Sequence, residues 1–598
     1  MARSPFLLAI GASAVAGAAL FASVPPQEAK PSQAELEILL DPRLVAQNQC
    51  GRGGRERAAF FKPSFQLALA ASAQAATNAA DEKLPLWPGL GDRTVRITTA
   101  SDEAQVYFDQ GFALLYGFNH WEAIRAFQEA QRIDPGCAMC YWGEAKARGP
   151  NINAPMDAGE EDPALIAIGK AVALAGNASA KERALIEALA LRYVADGEMA
   201  RAELDKRYAE AMEKIHTRYP GDQDIAVLYA EAQMDLSPWN YWERDQRTPR
   251  PHIAGAIKAV ERVLAANPNH AGAIHLQIHL MEASAMPERA EKGAGRLADL
   301  MPGAGHLVHM PGHIYFRVGR YLDSLETNVR AVAVDEAYLA KTEGSPIYRY
   351  GYYPHNVHFV LVSAQMAGDA KTALDYARKL DGLIPFDAVT SAAIVQPVKV
   401  APYYAYLEFG TADDIANMPE PPDGLPFVKG IWRYVQGVAA ARAGDLAAAR
   451  AEADAIAALR GDEALTPLAA TNVPAGDILL LSETVLRARI DQREGKLDAA
   501  RAKLEQALVL QDGLIYSEPP YWYYPVEQTL AAVLLEAGDA DAAVARFRAA
   551  LVRHPNNAWS LYGLMKAQEA AGDAAASYTA ELLRKAAFDP GAITLDRL

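Results

Sequence analysis

The chain has 598 residues, 51% apolar and 22% charged, with a net charge of −16. That apolar content builds a large core and excludes global disorder. The acidic balance argues against nucleic acid, whose phosphates require clustered Lys and Arg. With 3 Cys there is no disulfide framework, and His is scarce, at 12. Length alone suggests about four domains.

The N-terminus reads as an export signal over residues 1–22. Arg3 is a minimal basic region, and Phe6 to Phe21 is an unbroken run of apolar and small residues that Pro25-Pro26 ends. The run is shorter than the roughly 20 residues that span a bilayer. A second candidate follows: Arg52, Arg55, Arg57 and Lys62 precede Phe65, with Ala71-Ser72-Ala73 as a small-residue cleavage motif. The expected localisation is periplasmic, or cytoplasmic if neither signal operates. Residues 23–100 read as leader or linker. No later stretch predicts a transmembrane span.

From residue 101 to 586 the periodicity is helical, and one spacing recurs. A small residue is followed at +4 and +7 by apolar or small residues and at +12 by Pro. It occurs as Ala123, Phe127, Ala130, Pro135; as Ala256, Val260, Val263, Pro268; as Ala290, Ala294, Leu297, Pro302; and as Ala543, Phe547, Ala550, Pro555. Ala256 to Ala290 is 34 residues, and another 34 reaches Ser324, Asn328 and Ala331, a degenerate copy. The small residue suits a close helix crossing, +4 and +7 share a face, and Pro ends the second helix. The pattern resembles the tetratricopeptide repeat, a helix–turn–helix unit. That resemblance implies an all-α, right-handed superhelix (an α-solenoid) with a concave groove lined by the first helix of each repeat. Residues 587–598 read as a tail.

The first repeat carries a longer signature, Tyr107 to Gly111, Tyr116 to His120, Cys137 to Gly143 and Gly149 to Asn153. It resembles a bacterial subfamily of exported repeat proteins, which implies fold and not chemistry. Asn151 and Asn153 lie in its Gly-Pro loop, as ligand-binding groups or helix caps. Cys137 and Cys140 are either a redox pair or small apolar packing residues. Asp157 to Asp162 reads as solvated loop.

Eight of the 12 His fall between 270 and 358. With the small residue at repeat position 20, His275 and His279 occupy positions 5 and 9 of one first helix. His306, His309 and His313 occupy 2, 5 and 9 of the next, and His355 and His358 occupy 2 and 5 of the third. In the repeat family these positions face the groove, so residues 271–385 form His-rich repeats with seven His aimed at one region. Imidazoles four residues apart on a helix, about 5–6 Å between Cβ atoms, can share an ion. Neutral imidazoles suit Cu, Fe, Zn or Ni.

The core set expected is His275, His279, His309, His313 and His358, with His306 and His355 nearer the rim. Glu282 is either a ligand or an acceptor for an imidazole N–H. Pro311 predicts a kink that re-aims His306 and His309. Tyr352, Tyr353, Tyr241 and Trp242 either wall a substrate pocket or pack between repeats, and Arg317 either binds a carboxylate or is structurally paired.

Three functions remain open on the residues: a metal-dependent enzyme, a scaffold binding peptides or partner proteins, and metal storage, delivery or sensing. Within the first, one or two Cu or Fe ions would support oxidation and Zn would support hydrolysis. Ligands dominated by His, with Tyr around them, lean to Cu or Fe.

Overall fold

The computed structural model describes residues 84–598 apart from 157–158, 195–198, 392 and 472. The 1–22 signal, most of the leader and part of the 157–162 acidic loop lie outside the described residues. The rest is an all-α superhelical solenoid of antiparallel helix pairs.

The recurrent spacing acts through interlocking side chains. In the first unit α1 (Asp102–Tyr116) and α2 (His120–Ile133) pair. Ala123, Phe127 and Ala130 are all fully buried. The Phe127 ring fits where only glycine leaves room: a Cβ on Gly111 or Gly143 would come within 2.7 and 2.5 Å of it. Asn119 starts α2 by accepting from the Glu122 N–H, and Pro135 follows its end.

The His repeats are built from α3 (Ala271–Glu282), α4 (Glu291–Leu300), α5 (Gly305–His309), α6 (Pro311–Arg317), α7 (Tyr321–Leu339), α8 (Tyr353–Ala367) and α9 (Ala370–Leu383). One first helix is split into α5 and α6. Pro311 has no N–H for the helical bond, and the chain continues through Met310 with a tighter His313 N–H to Met310 C=O contact of 3.2 Å. Gly368 ends α8 in the left-handed conformation, φ 72°, and Asp369 then caps α9.

Two apolar cores run through the solenoid, one over residues 84–352 and one over 316–598, and they abut at the His repeats. Both arms also return there. From the N-terminal arm, the Tyr116 carbonyl accepts from His275. The Tyr338 hydroxyl of α7 donates to Glu122 in α2. The C-terminal arm runs through α10 (Val526–Glu536), α11 (Ala540–Arg553) and α12 (Ala558–Ala571). Pro555 presses on Gly319, the Trp559 indole donates to the Gln365 carbonyl, and the Phe588 N–H donates to the Ala367 carbonyl.

The folded body is longer than the 101–586 span expected. Residues 84–100 have no helix yet are strapped down: Leu84 is buried, Trp87 donates to Gln110, Thr98 to Glu182, and Arg93 pairs with Asp224. At the other end Ile593 and Leu598 are buried. Backbone groups without secondary-structure partners are satisfied here by side chains, which periodicity does not register. Among the described residues no helix is long and apolar enough to cross a membrane.

Candidate metal centre

Six of the seven in-register His form two triads: His275, His279 and His306, and His309, His313 and His355. One donor nitrogen from each residue lies within 4.8 Å of the others in its triad. In the first, the His275 Nε2 is 3.0 Å from the His279 Nε2 and 3.1 Å from the His306 Nε2. In the second, the His313 Nε2 is 2.7 Å from the His309 Nε2 and 3.4 Å from the His355 Nε2. So His306 and His355, expected near the rim, complete the triads. Met310 keeps helical torsions at the break (φ −52°, ψ −36°), and His306 meets the α3 pair from α5.

His358 lies apart, hydrogen-bonded through its Nε2 to the Tyr523 hydroxyl. Three residues beyond His355, it is turned about 60° round α8, onto the flank that meets the C-terminal arm. Burial lowers its pKa to about 3. His270 is a cap, its Nδ1 accepting from the Ala273 N–H at the start of α3.

Four of the other ring nitrogens are held by groups that accept. The His275 Nδ1 faces the Tyr116 carbonyl at 2.7 Å. The two oxygens of Glu282 take the Nδ1 atoms of His279 at 2.7 Å and His313 at 2.5 Å. The His309 Nδ1 faces the Asn328 Oδ1 at 2.5 Å, and the Asn328 amide donates to the Ser324 carbonyl. A carbonyl or carboxylate oxygen can only accept, so in these four rings Nδ1 carries the proton and Nε2 of the neutral ring is a bare lone pair. Lone pairs 3.0 and 2.7 Å apart with no proton between them repel. A cation or an added proton resolves the conflict.

Protonation is opposed. Burial first, then neighbouring imidazoles, pushes His275, His306, His309 and His355 well below the usual range, and burial lowers His279. Burial alone would raise Glu282, yet His313 and His279 hold it down at about 2. A neutral-imidazole donor set around an ionised acceptor is the arrangement a transition-metal ion fits, with Glu282 and Asn328 orienting the rings from outside. Among the described residues Glu282 is the carboxylate that touches the rings, and it does so at Nδ1, away from the donor side.

Aromatic side chains wall the rings. The Phe118 ring centroid lies 4.4, 5.9 and 5.6 Å from those of His275, His279 and His306. Phe359 lies 4.8, 4.5 and 5.1 Å from His309, His313 and His355. Trp239 meets His279 edge-on at 5.1 Å. Phe118 and Trp239 both sit at left-handed φ, 55° and 63°, where bulky residues are rare and cost about 1–3 kcal/mol. Both strained aromatics abut the first triad.

The remaining expected site residues divide. Tyr352 lies tilted against His306, with ring centroids 4.8 Å apart. Glu282 is the acceptor alternative rather than a direct donor to the cluster. Arg317 is structurally occupied, donating to the Ser284 carbonyl and lying over Tyr516. Tyr353 bonds to Glu336, Trp242 donates to the Leu280 carbonyl, and Tyr241 is buried packing. Asn151 shapes its loop by accepting from the Asn153 and Ala154 N–H groups. Cys137 and Cys140 are joined in a buried disulfide.

Periodicity misses Tyr116, whose contribution is a main-chain carbonyl, and Phe118 and Phe359. Asn328 left a signal: a polar residue at the +4 position that other copies fill with Phe, Val or Ala. A cavity of about 430 Å³ reaches His306 between Trp87, Leu90, Tyr338 and Tyr348.

No family model and no curated protein matches the chain. Solved structures similar to it include a human IFIT1 dimer with m7Gppp-AAAA, at 13% identity, 82% of this chain and 90% of that one, TM-score 0.30. The APC/C hetero-tetramer Cut9-Hcn1 is similar at 13%, over 84% and 82%, TM-score 0.29. Yeast Tom70 is similar at 11%, over 79% and 90%, TM-score 0.26. Likeness at this level says nothing of what this chain binds.

Proposed function

We propose that this solenoid is an exported transition-metal protein that binds one ion on each His triad and acts as an oxidoreductase. The observation that carries this is the set of four Nδ1 atoms fixed on acceptors, which leaves the converging Nε2 atoms as uncompensated lone pairs. An all-imidazole donor set favours copper, with iron and zinc behind it. Each triad leaves an ion a free coordination position, as catalysis requires.

The aromatic wall supports redox work, because a dry shell around an ion tunes its potential. A small, mainly apolar organic reductant fits the cavity beside His306, whose walls are largely apolar and aromatic. The apolar leader and the Cys137–Cys140 pair support export, since disulfides persist in oxidising compartments.

The test is metal analysis of untagged protein after loading with Cu, Fe or Zn in turn, followed by spectra under ascorbate and under air. Stoichiometric copper with an absorption or EPR spectrum that ascorbate bleaches is expected. Stoichiometric zinc with no uptake of copper would move the reading to hydrolysis. Failure to bind any of the three would return the chain to a protein-binding scaffold.

A further inference from the structure

The two triads adjoin, with ring separations between them close to the longest within them. Inside the first triad, ring centroids are 4.7, 5.0 and 6.1 Å apart, and inside the second 4.6, 4.8 and 5.5 Å. Across the boundary His306 and His309 are 6.0 Å apart, and His279 and His313 are 6.3 Å apart. Glu282 spans that boundary with one oxygen on each side. Phe118 packs on all three rings of one triad and Phe359 on all three of the other, so the six imidazoles form one contiguous set between two phenyl rings.

Independent metal sites need neither shared orientation nor contact. Here α3, α5, α6 and α8 deliver the six rings to one buried chamber. One helix joins the two sets, because α5 gives His306 to one triad and His309 to the other. Gly312 serves the arrangement too: a Cβ there would come within 2.3 Å of the Asn328 amide nitrogen and displace the group that orients His309.

Building on the metal reading above, we propose that the triads form a single dinuclear copper centre that binds dioxygen between its two ions. Two ions each held by three imidazoles retain open positions, and sites of two metals about 3.5–4 Å apart clamp a shared oxygen ligand. On binding, each Cu(I) gives up one electron. Dioxygen takes up both, keeps its oxygen–oxygen bond and needs no proton. The organic reductant later gives up two electrons and two protons: the electrons restore both Cu(I) ions, and the protons release the bound peroxide as hydrogen peroxide. Glu282 is a positioning residue for both halves and keeps the rings of the two ions in one orientation.

The experiment uses the full-length, untagged protein, loaded anaerobically with Cu(I) and then exposed to air-saturated buffer. Copper content, oxygen uptake and EPR spin intensity are measured on one sample. Two coppers per chain, one dioxygen taken up per pair and loss of nearly all the Cu(II) spin signal are expected, because spins on paired ions cancel. Two coppers with spin intensity equal to total copper would overturn the pairing and leave the metal reading standing. One copper per chain would also overturn the pairing. No copper at all would overturn both. His355→Ala should bind one copper, take up no dioxygen in air and show its full spin signal once oxidised with ferricyanide; retained oxygen uptake there would overturn the shared site. If that variant does not fold, His306→Ala makes the complementary test, and the spin count of the unmodified protein decides regardless.

Discussion

At repeat positions 2, 5 and 9 the unit ending at Pro555 carries Pro525, Gln528 and Ala532, whereas the unit ending at Glu336 carries His306, His309 and His313. Both are built on the same spacing of small and apolar residues. In the late unit the buried polar group works for the fold: the Gln528 Oε1 accepts from the Ser560 hydroxyl across neighbouring first helices. Phe547 is fully buried, with its ring where a Cβ on Gly563 would come within 2.2 Å. In the His unit the corresponding +4 position is Asn328, and it orients a ring. The repeat frame therefore supplies helix placement alone. Chemistry enters where polar residues replace packing residues on that frame.

Substitutions at matched positions break this comparison most sharply. His309→Ala/His313→Ala should reduce bound metal from two ions per chain to one, while Gln528→Ala leaves it unchanged; metal analysis of both proteins checks this. The packing side predicts the reverse. Phe547→Ala should cost about 3–5 kcal/mol of stability in denaturant titrations, with metal stoichiometry intact in the folded protein.

Glu282→Gln sharpens the account of orientation. An amide offers one acceptor and one donor, so it cannot receive N–H groups from both His279 and His313. Competition with a chelator should show metal affinity falling about 10–100-fold, as loss of an outer-shell partner does.

The smallest effect lies in the C-terminal half. Burial pushes Glu408 up to about 8, although Gln365 and Tyr524 donate to it. Its folded value is above its unfolded one, so the fold favours the neutral form. Its contribution is complete below about 4.5 and is lost as pH rises through about 8. Glu408→Gln removes that loss. Melting temperatures of the variant and the parent should separate as pH rises from about 4.5 to about 8 and stay apart above that, on the order of 1–3 °C in favour of the variant, with metal content the same.

Much of this was legible in the residues. The Ala123–Phe127–Ala130–Pro135 spacing carries the helix pairing, because a small residue at a crossing is a local requirement. The +34 shifts from His275 to His309 and from His279 to His313 carry the clustering. The division of labour among the His was not legible. His306 joins the His275–His279 pair of the preceding repeat, and His358 leaves the cluster for Tyr523, 165 residues away in sequence. The Tyr116 carbonyl reaches His275 across 159 residues. Such contacts follow from how the arms of the solenoid fold back, which a repeat period does not encode. The straps at 84–100 and 587–598 were unreadable for the same reason: their contacts are individual hydrogen bonds and single buried side chains without periodicity.

Anomalous diffraction at the copper edge, from crystals of copper-loaded protein, tests the central claim most directly. Two peaks are expected, one in each triad, at about 2.0–2.1 Å from its Nε2 atoms as imidazole–metal bonds require. No peak in either triad, or copper at His358 with both triads empty, would contradict it.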